Sequence, residues 1–191
     1  MGTKQPTVQH IKSLTRAQFE ELLRISELFN ATTYEGSLME DALDWMIGVV
    51  NAERGLCVKY LPETAAFSIV AARNVKGESL DTLTDFSTGV LNRIIVEKKP
   101  LLFHDAKGDP RLSQFDSIQI QRITSVIGVP ILRDNSVWGV ILVDTCSNRR
   151  EFTEDNLIFL QFFSNVLSLA LDRIIRFEAL ENENRLLRNT L

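Results

Sequence analysis

Ser125-Val-Ile-Gly-Val-Pro-Ile-Leu132, Arg133-Asp-Asn-Ser136 and Val137-Trp-Gly-Val-Ile-Leu-Val143 follow one another without a gap. The first and third pieces are short, continuous and rich in β-branched residues. The four residues between them are turn formers, so the stretch reads as a hairpin. Neither strand alternates apolar with polar residues, which means that both faces need covering and that the hairpin lies in the centre of a sheet. Pro130 has no N–H for a ladder, so a bulge or an unpaired edge is expected there.

Working outward toward the amino terminus, Leu101 to His104 reads as a further strand. Ahead of it, Ser87-Thr88-Gly89 opens a short helix through Val90, Leu91, Ile94 and Ile95 that must stop before Lys99-Pro100. Asp105 to Phe115 is polar, carries Gly108 and Pro110, and reads as a loop, after which Ser117 to Ile123 adds one or two helical turns. Leu56–Tyr60 and Phe67–Ala72 are two more short strands, joined across the turn Leu61-Pro62-Glu63-Thr64. Two helices precede them. One follows a capping box of Ser37 and Glu40 and runs to about Asn51 with Leu38, Ala42, Trp45, Met46, Val49 and Val50 on its stripe. The other follows a capping box of Thr15 and Gln18 and runs to about Asn30 with Phe19, Leu22, Leu23 and Phe29. Toward the carboxyl terminus, Thr153 with Glu154 and Asp155 in the first turn starts a helix that no Gly or Pro interrupts. At about 1.5 Å per residue it reaches more than ~50 Å, longer than such a domain covers, so its far end projects.

Composition narrows the function. The chain has 191 residues, 45% hydrophobic and 24% charged, as an ordinary globular protein does. Its 21 basic and 25 acidic residues leave a formal charge of −4 without a dense basic cluster, which argues against nucleic-acid binding. The uninterrupted apolar stretches fall short of the ~20 residues that span a bilayer, and neither a signal peptide nor a myristoylation pattern is present, so a cytoplasmic protein is expected. Cys57 and Cys146 form no CxxC or Cys/His spacing and read as small core residues in a reducing compartment. There is no Walker loop, GxSxG elbow, HExxH or kinase signature, and no catalytic residue is expected.

The element order, together with Ser87-Thr88-Gly89-Val90, Pro100 to Ala106 with Asp109-Pro110, Ser125 to Ile131, Trp138 to Val143 and Phe152-Thr-Glu-Asp155, resembles the GAF domain family over about Leu22 to Asp172. The resemblance implies an α/β fold, more narrowly α+β. In it, a central antiparallel sheet of five or six strands carries the terminal helices on one face and a ligand pocket on the other. With the element order, it suggests a disordered or frayed segment 1–14, a sensor domain 15–172 that includes the first helix, and a coiled-coil stem 173–191. It also implies a non-catalytic regulatory role, in a family whose members bind cyclic nucleotides, bilins, haem, iron, small acids or nothing known. Asp144-Thr145 stands where the cyclic-nucleotide class has Asn-Lys, which removes that class's internal ion pair. Neither Cys adjoins a His, as bilin attachment needs. His104, Asp105 and Asp109 offer donors that suit non-haem iron, but a turn and a helix cap want the same short acceptors, and no metal is assigned. The cofactor is unknown. A pocket between the sheet and the segments Phe86–Val90 and Phe115–Thr124 would have Phe86 and Phe115 as walls and Arg73, Asn74, Arg122 and Thr124 as polar groups. Its two arginines favour an anionic small molecule, the alternative being surface arginines paired with acids.

From Ala170 the last helix adopts a heptad phase with Phe177, Asn184 and Leu191 at a and Leu180 and Leu187 at d. In a parallel pair, Arg176 faces the partner's Glu181 and Glu183 faces the partner's Arg188. A homodimer through this seam is expected. The ending Glu178 to Asn189 resembles the stretch that leads from a GAF domain into the motor of sigma-54-dependent bacterial transcription activators, although a histidine kinase or a nucleotide cyclase could follow a similar stem. The second class of function is a docking module with a collapsed pocket.

Overall fold

In the computed structural model, which describes residues 14–73, 88–104, 123–146 and 151–189, the quoted hairpin is β4 (Ser125–Arg133) and β5 (Ser136–Thr145). Before it come α1 (Arg16–Ala31), α2 (Glu35–Val50), β1 (Arg54–Leu61), β2 (Ala66–Arg73), α3 (Thr88–Glu97) and β3 (Leu101–Phe103), and after it α4 (Glu154–Asn189). The strands form one five-stranded sheet in the order β2-β1-β5-β4-β3, with each neighbouring pair antiparallel. The sheet is therefore antiparallel and the fold α+β, with β5 at its centre.

Alternation along the strands sorts the core into two layers. Cys57, Ile127, Val129, Ile141 and Val143 join Ile25, Phe29, Leu43, Met46, Leu160, Phe163 and Leu167 from α1, α2 and α4. Leu56, Val58, Val126, Val140 and Leu142 point the other way, to Val90, Leu91 and Ile94 of α3. The terminal helices thus share one face, as expected. Trp45 anchors them: its ring stacks on Phe163 at 4.6 Å and 7°, Phe29 meets Phe163 edge-on at 5.4 Å, and the indole Nε1 donates to Glu21 at 2.9 Å. On the opposite face α3 comes very close, since a Cβ added at Gly128 would lie 2.1 Å from Ile94 Cδ1.

Local sequence explains most boundaries. The Thr15–Gln18 capping box is present in both halves, and Thr153 with Asn156 forms another at the start of α4. The box expected at Ser37 is not the start of α2. That helix begins at Glu35 with Tyr34 at the cap and no side-chain cap bond. Glu35 places its negative charge in the first turn, where the helix dipole favours it.

Pro130 stays in register opposite Val140. Its missing N–H points to the outer edge of β4, where β3, paired only to Val126, Ile127 and Gly128, has already ended. The bulge comes one step later, where Trp138 is the extra residue of β5 between the pairs Ile131–Gly139 and Leu132–Val137.

α4 runs for 36 residues. By length and composition it is one described helix long and apolar enough to cross a bilayer, a property hidden from the uninterrupted-stretch reading because Gln161, Asn165 and Asp172 break the run. Leu160, Phe163, Leu167, Leu171 and Ile174 are buried in the core instead. From Arg176 to Arg188 every side chain is exposed.

Candidate functional site

The α3 face of the sheet is the face on which the resemblance places a pocket. Its floor is apolar: Leu56, Val58, Val140 and Leu142 are fully buried, and Phe103 and Ile123 close one side. α3 lies over β4 and β5. Toward β2 the same face continues as Tyr60, Phe67 and Ile69, half-buried, with the Tyr60 and Phe67 rings 5.7 Å apart. These residues were legible as one face of an alternating strand, yet the sequence reading did not include them.

Arg73 falls elsewhere. A bulge in the β1–β2 pairing, between Cys57 opposite Ala71 and Val58 opposite Ile69, inserts Val70 and reverses the alternation of β2. Phe67 and Ile69 face α3, whereas Ala71 and Arg73 face the helices. The guanidinium of Arg73 grips Asp44 of α2, Nε to Oδ1 at 2.8 Å and Nη2 to Oδ2 at 3.2 Å. This corrects its placement as a pocket residue. Thr124 is buried at the start of β4, and its N–H donates to the Thr145 carbonyl at 2.7 Å. Asn74, Phe86, Phe115 and Arg122 lie outside the described residues, as do Asp105 and Asp109. His104 is exposed just past the end of β3.

At the Thr124 end of the floor stands a charged pair that sequence reasoning missed. Arg54 begins β1, and Asp144, the last residue but one of β5, stands directly opposite it. Arg54 donates from Nε at 2.7 Å and Nη2 at 2.8 Å to the two carboxylate oxygens, and Asp144 is wholly buried. Burial pushes the Asp144 carboxyl above the ordinary carboxylate range, the Arg54 hydrogen bonds and charge pull it back, and the charge of Glu53 adds to the rise. Glu53 is itself tied in, accepting the Cys146 N–H at 2.9 Å. Arg54 and Asp144 thus largely neutralise each other, with the Glu53 carboxylate close by.

Cys57, on the helix face, is fully buried, and desolvation, followed by the charge of Glu35, raises its thiol pKa far above the ordinary value. A thiol so held is protonated and a poor nucleophile.

In the stem, Phe177, Leu180 and Leu187 are 57%, 58% and 59% exposed. The Asn184 side-chain amide donates to the Leu180 carbonyl at 3.0 Å, and Leu191 lies outside the described residues. At the base of the stem Asp172 accepts from Arg133 of the hairpin and from Arg176, and these bonds hold its carboxyl below the ordinary range, Arg176 having the larger effect. Arg173 donates to the Phe29 carbonyl in the last turn of α1 and to the Thr32 carbonyl at its C-cap, adding a side-chain partner at the helix end.

A GAF domain family model matches residues 22–171. Among solved structures, the chain is similar to residues 122 to 287 of a methyl-accepting chemotaxis protein, with 22% identity, 81% of this chain and 99% of that one covered, and a TM-score of 0.63. It is also similar to the GAF domain of a phosphoenolpyruvate-protein phosphotransferase from Coxiella burnetii, with 13% identity, coverage of 86% and 99%, and a TM-score of 0.66. A third is the free methionine-R-sulfoxide reductase from Neisseria meningitidis in complex with its substrate, with 11% identity, coverage of 92% and 98%, and a TM-score of 0.66. No curated protein matches the chain.

Proposed function

The chain belongs to the GAF domain family, and from that membership we propose a non-catalytic regulatory sensor domain. In this reading it binds a small molecule on the α3 face and signals through a helical homodimer. The observation that carries it is the stem, in which a helix leaves the body and keeps Phe177, Leu180 and Leu187 exposed at a and d spacing beside charges suited to a parallel partner. Apolar residues in such a row are stable in water when a second helix covers them. The cytoplasm is the proposed compartment, and a sigma-54-dependent transcription activator the proposed output, on the resemblance of Glu178 to Asn189.

The ligand proposal rests on the asymmetry of the sheet. Three helices bury one face, while the α3 face pairs an apolar floor with a few polar groups at its Thr124 end, the usual composition of a small-molecule site. Arg122 is the proposed anion-binding group, because Arg54 and Arg73 already hold carboxylates. Catalysis is disfavoured by the Cys57 thiol being kept buried and protonated.

Two measurements test the proposal. Sedimentation of the intact chain at micromolar concentration is expected to give twice the chain mass, and Leu180→Asp with Leu187→Asp the chain mass; a monomeric wild type refutes the dimer. In a thermal-shift screen, a small anion at a hundred times its dissociation constant should add about 2.7 kcal/mol, and Arg122→Ala should abolish the gain. If nothing stabilises the wild type, the docking module is the better reading.

A further inference from the structure

Among the described residues no strand lies beside the outer edge of β4 beyond Gly128, yet its polar groups are not left bare. The Pro130 carbonyl accepts a hydrogen bond from Ser164 Oγ of α4 at 2.6 Å, the Leu132 N–H donates to Ser168 Oγ at 3.2 Å, and Arg133 Nε donates to Asp172 Oδ1 at 3.2 Å. The three α4 residues are spaced four apart, about 6 Å along a helix, and Pro130 and Leu132 are two apart, about 6.6 Å along a strand. The two repeats match. A stripe of α4 side chains therefore bonds the exposed edge as a sixth strand would.

Apolar packing alone tolerates small slides, whereas directional bonds to a strand edge specify one register. The neighbouring registers are chemically poor. Sliding α4 by one turn in one direction brings Arg176 to Arg133, a like-charge contact. Sliding it in the other direction brings Leu160 to the Pro130 carbonyl and leaves that acceptor unpaired. The top rung lies where the helix leaves the body, because Asp172 holds hairpin residue Arg133 with one oxygen and stem residue Arg176 with the other.

We propose that the ladder of Ser164, Ser168 and Asp172 on β4 is the register lock between sheet and stem, through which a change in the β4–β5 hairpin is passed to the stem as a shift of α4. The transmission rests on the reading of the stem as the output route. The lock itself is a property of one chain.

Amide hydrogen exchange of the intact protein tests it. Ser164→Ala with Ser168→Ala should remove protection at the Leu132 amide and speed exchange over residues 168–176 about tenfold, with β1 and α2 unchanged. Ser168→Thr, which keeps the hydroxyl, should leave wild-type rates. Acceleration spread evenly into β1 and α2 would mean a general loss of stability, and unchanged exchange over 168–176 a purely local contact; either overturns the proposal. Should the serine variant not fold, Arg133→Gln, a change at the hairpin tip, is expected to speed exchange over 172–176 about threefold, and no change there is equally fatal. Sedimentation of the same samples separates the two readings, since a monomeric mass refutes pairing and leaves the exchange result standing.

Discussion

Replacing Arg54 by Met would leave the Asp144 carboxylate wholly buried without the two hydrogen bonds, at 2.7 and 2.8 Å, that now offset its desolvation. Breaking a buried pair from one side costs about 3–5 kcal/mol, because the remaining charge has neither water nor partner. Against a total stability of about 5–15 kcal/mol, this is a large share of what holds the domain folded at neutral pH. The loss should depend on pH with a definite sign. The folded-state pKa of Asp144 already lies above the ordinary 3.8 through burial, and removing Arg54 removes the causes that lower it. A carboxyl with a raised folded pKa binds its proton more tightly in the native state. That contribution is full below the unfolded value and lost as pH rises through the folded one. The gap between variant and wild type should therefore close on acidification and widen toward neutral pH. Urea unfolding of both proteins across that range measures it, and adding Asp144→Asn to the variant should recover most of the loss. A deficit below about 1 kcal/mol at neutral pH, or one that does not vary with pH, would refute the assignment of an uncompensated buried charge.

Phe163→Ala removes the ring against which Trp45 stacks and Phe29 packs, and should lower unfolding stability by about 3–5 kcal/mol in the same urea assay. Gly139→Ala would put a Cβ 2.3 Å from the Val58 carbonyl oxygen, a backbone atom that cannot swing aside, so this one methyl should cost about 1–3 kcal/mol by thermal melting. The buried Cys57 thiol should resist thiol reagents in the folded protein and react only at the rate of unfolding, which a labelling time course in increasing urea will show.

The fold was legible because its strongest signals are local. Both strands of the central hairpin, the Thr15 and Thr153 caps and the long uninterrupted last helix are written in short stretches whose period or cap chemistry has one good reading. The start of α2 was misjudged for the same reason. Ser37 and Glu40 satisfy a cap pattern, but the helix starts three residues earlier, with Tyr34 at the cap and Glu35 in the first turn. The site was less legible because it depends on which face a strand residue takes, and one inserted residue reverses that. Val70 at the β1–β2 bulge sends Arg73 to Asp44 and leaves Phe67 and Ile69 on the α3 face. No local feature of Ala66–Arg73 announces the insertion. Arg54 and Asp144 stand 90 residues apart in the chain. Their pairing required the β1–β5 register, which neither hairpin specifies alone.

α4 shows how an ambiguous composition is resolved by placement. Its apolar residues between Leu157 and Leu171 occupy nearly every side, which suits a bilayer or the middle of a fold equally well. The hydroxyls at Ser164 and Ser168 discriminate between these surroundings. In hydrocarbon a helical serine has the carbonyl four residues back as its ready partner, and Ser168 does donate to the Ser164 carbonyl at 2.8 Å. Ser164 instead donates to Pro130, and Ser168 accepts from Leu132 as well, so both serve a strand edge. Such an edge needs covering, because its unpaired N–H and C=O groups would otherwise recruit another strand. The two features therefore belong together. A proline near the end of a central strand marks where strand pairing stops on one side, and polar residues at four-residue spacing in an otherwise apolar helix mark what takes its place.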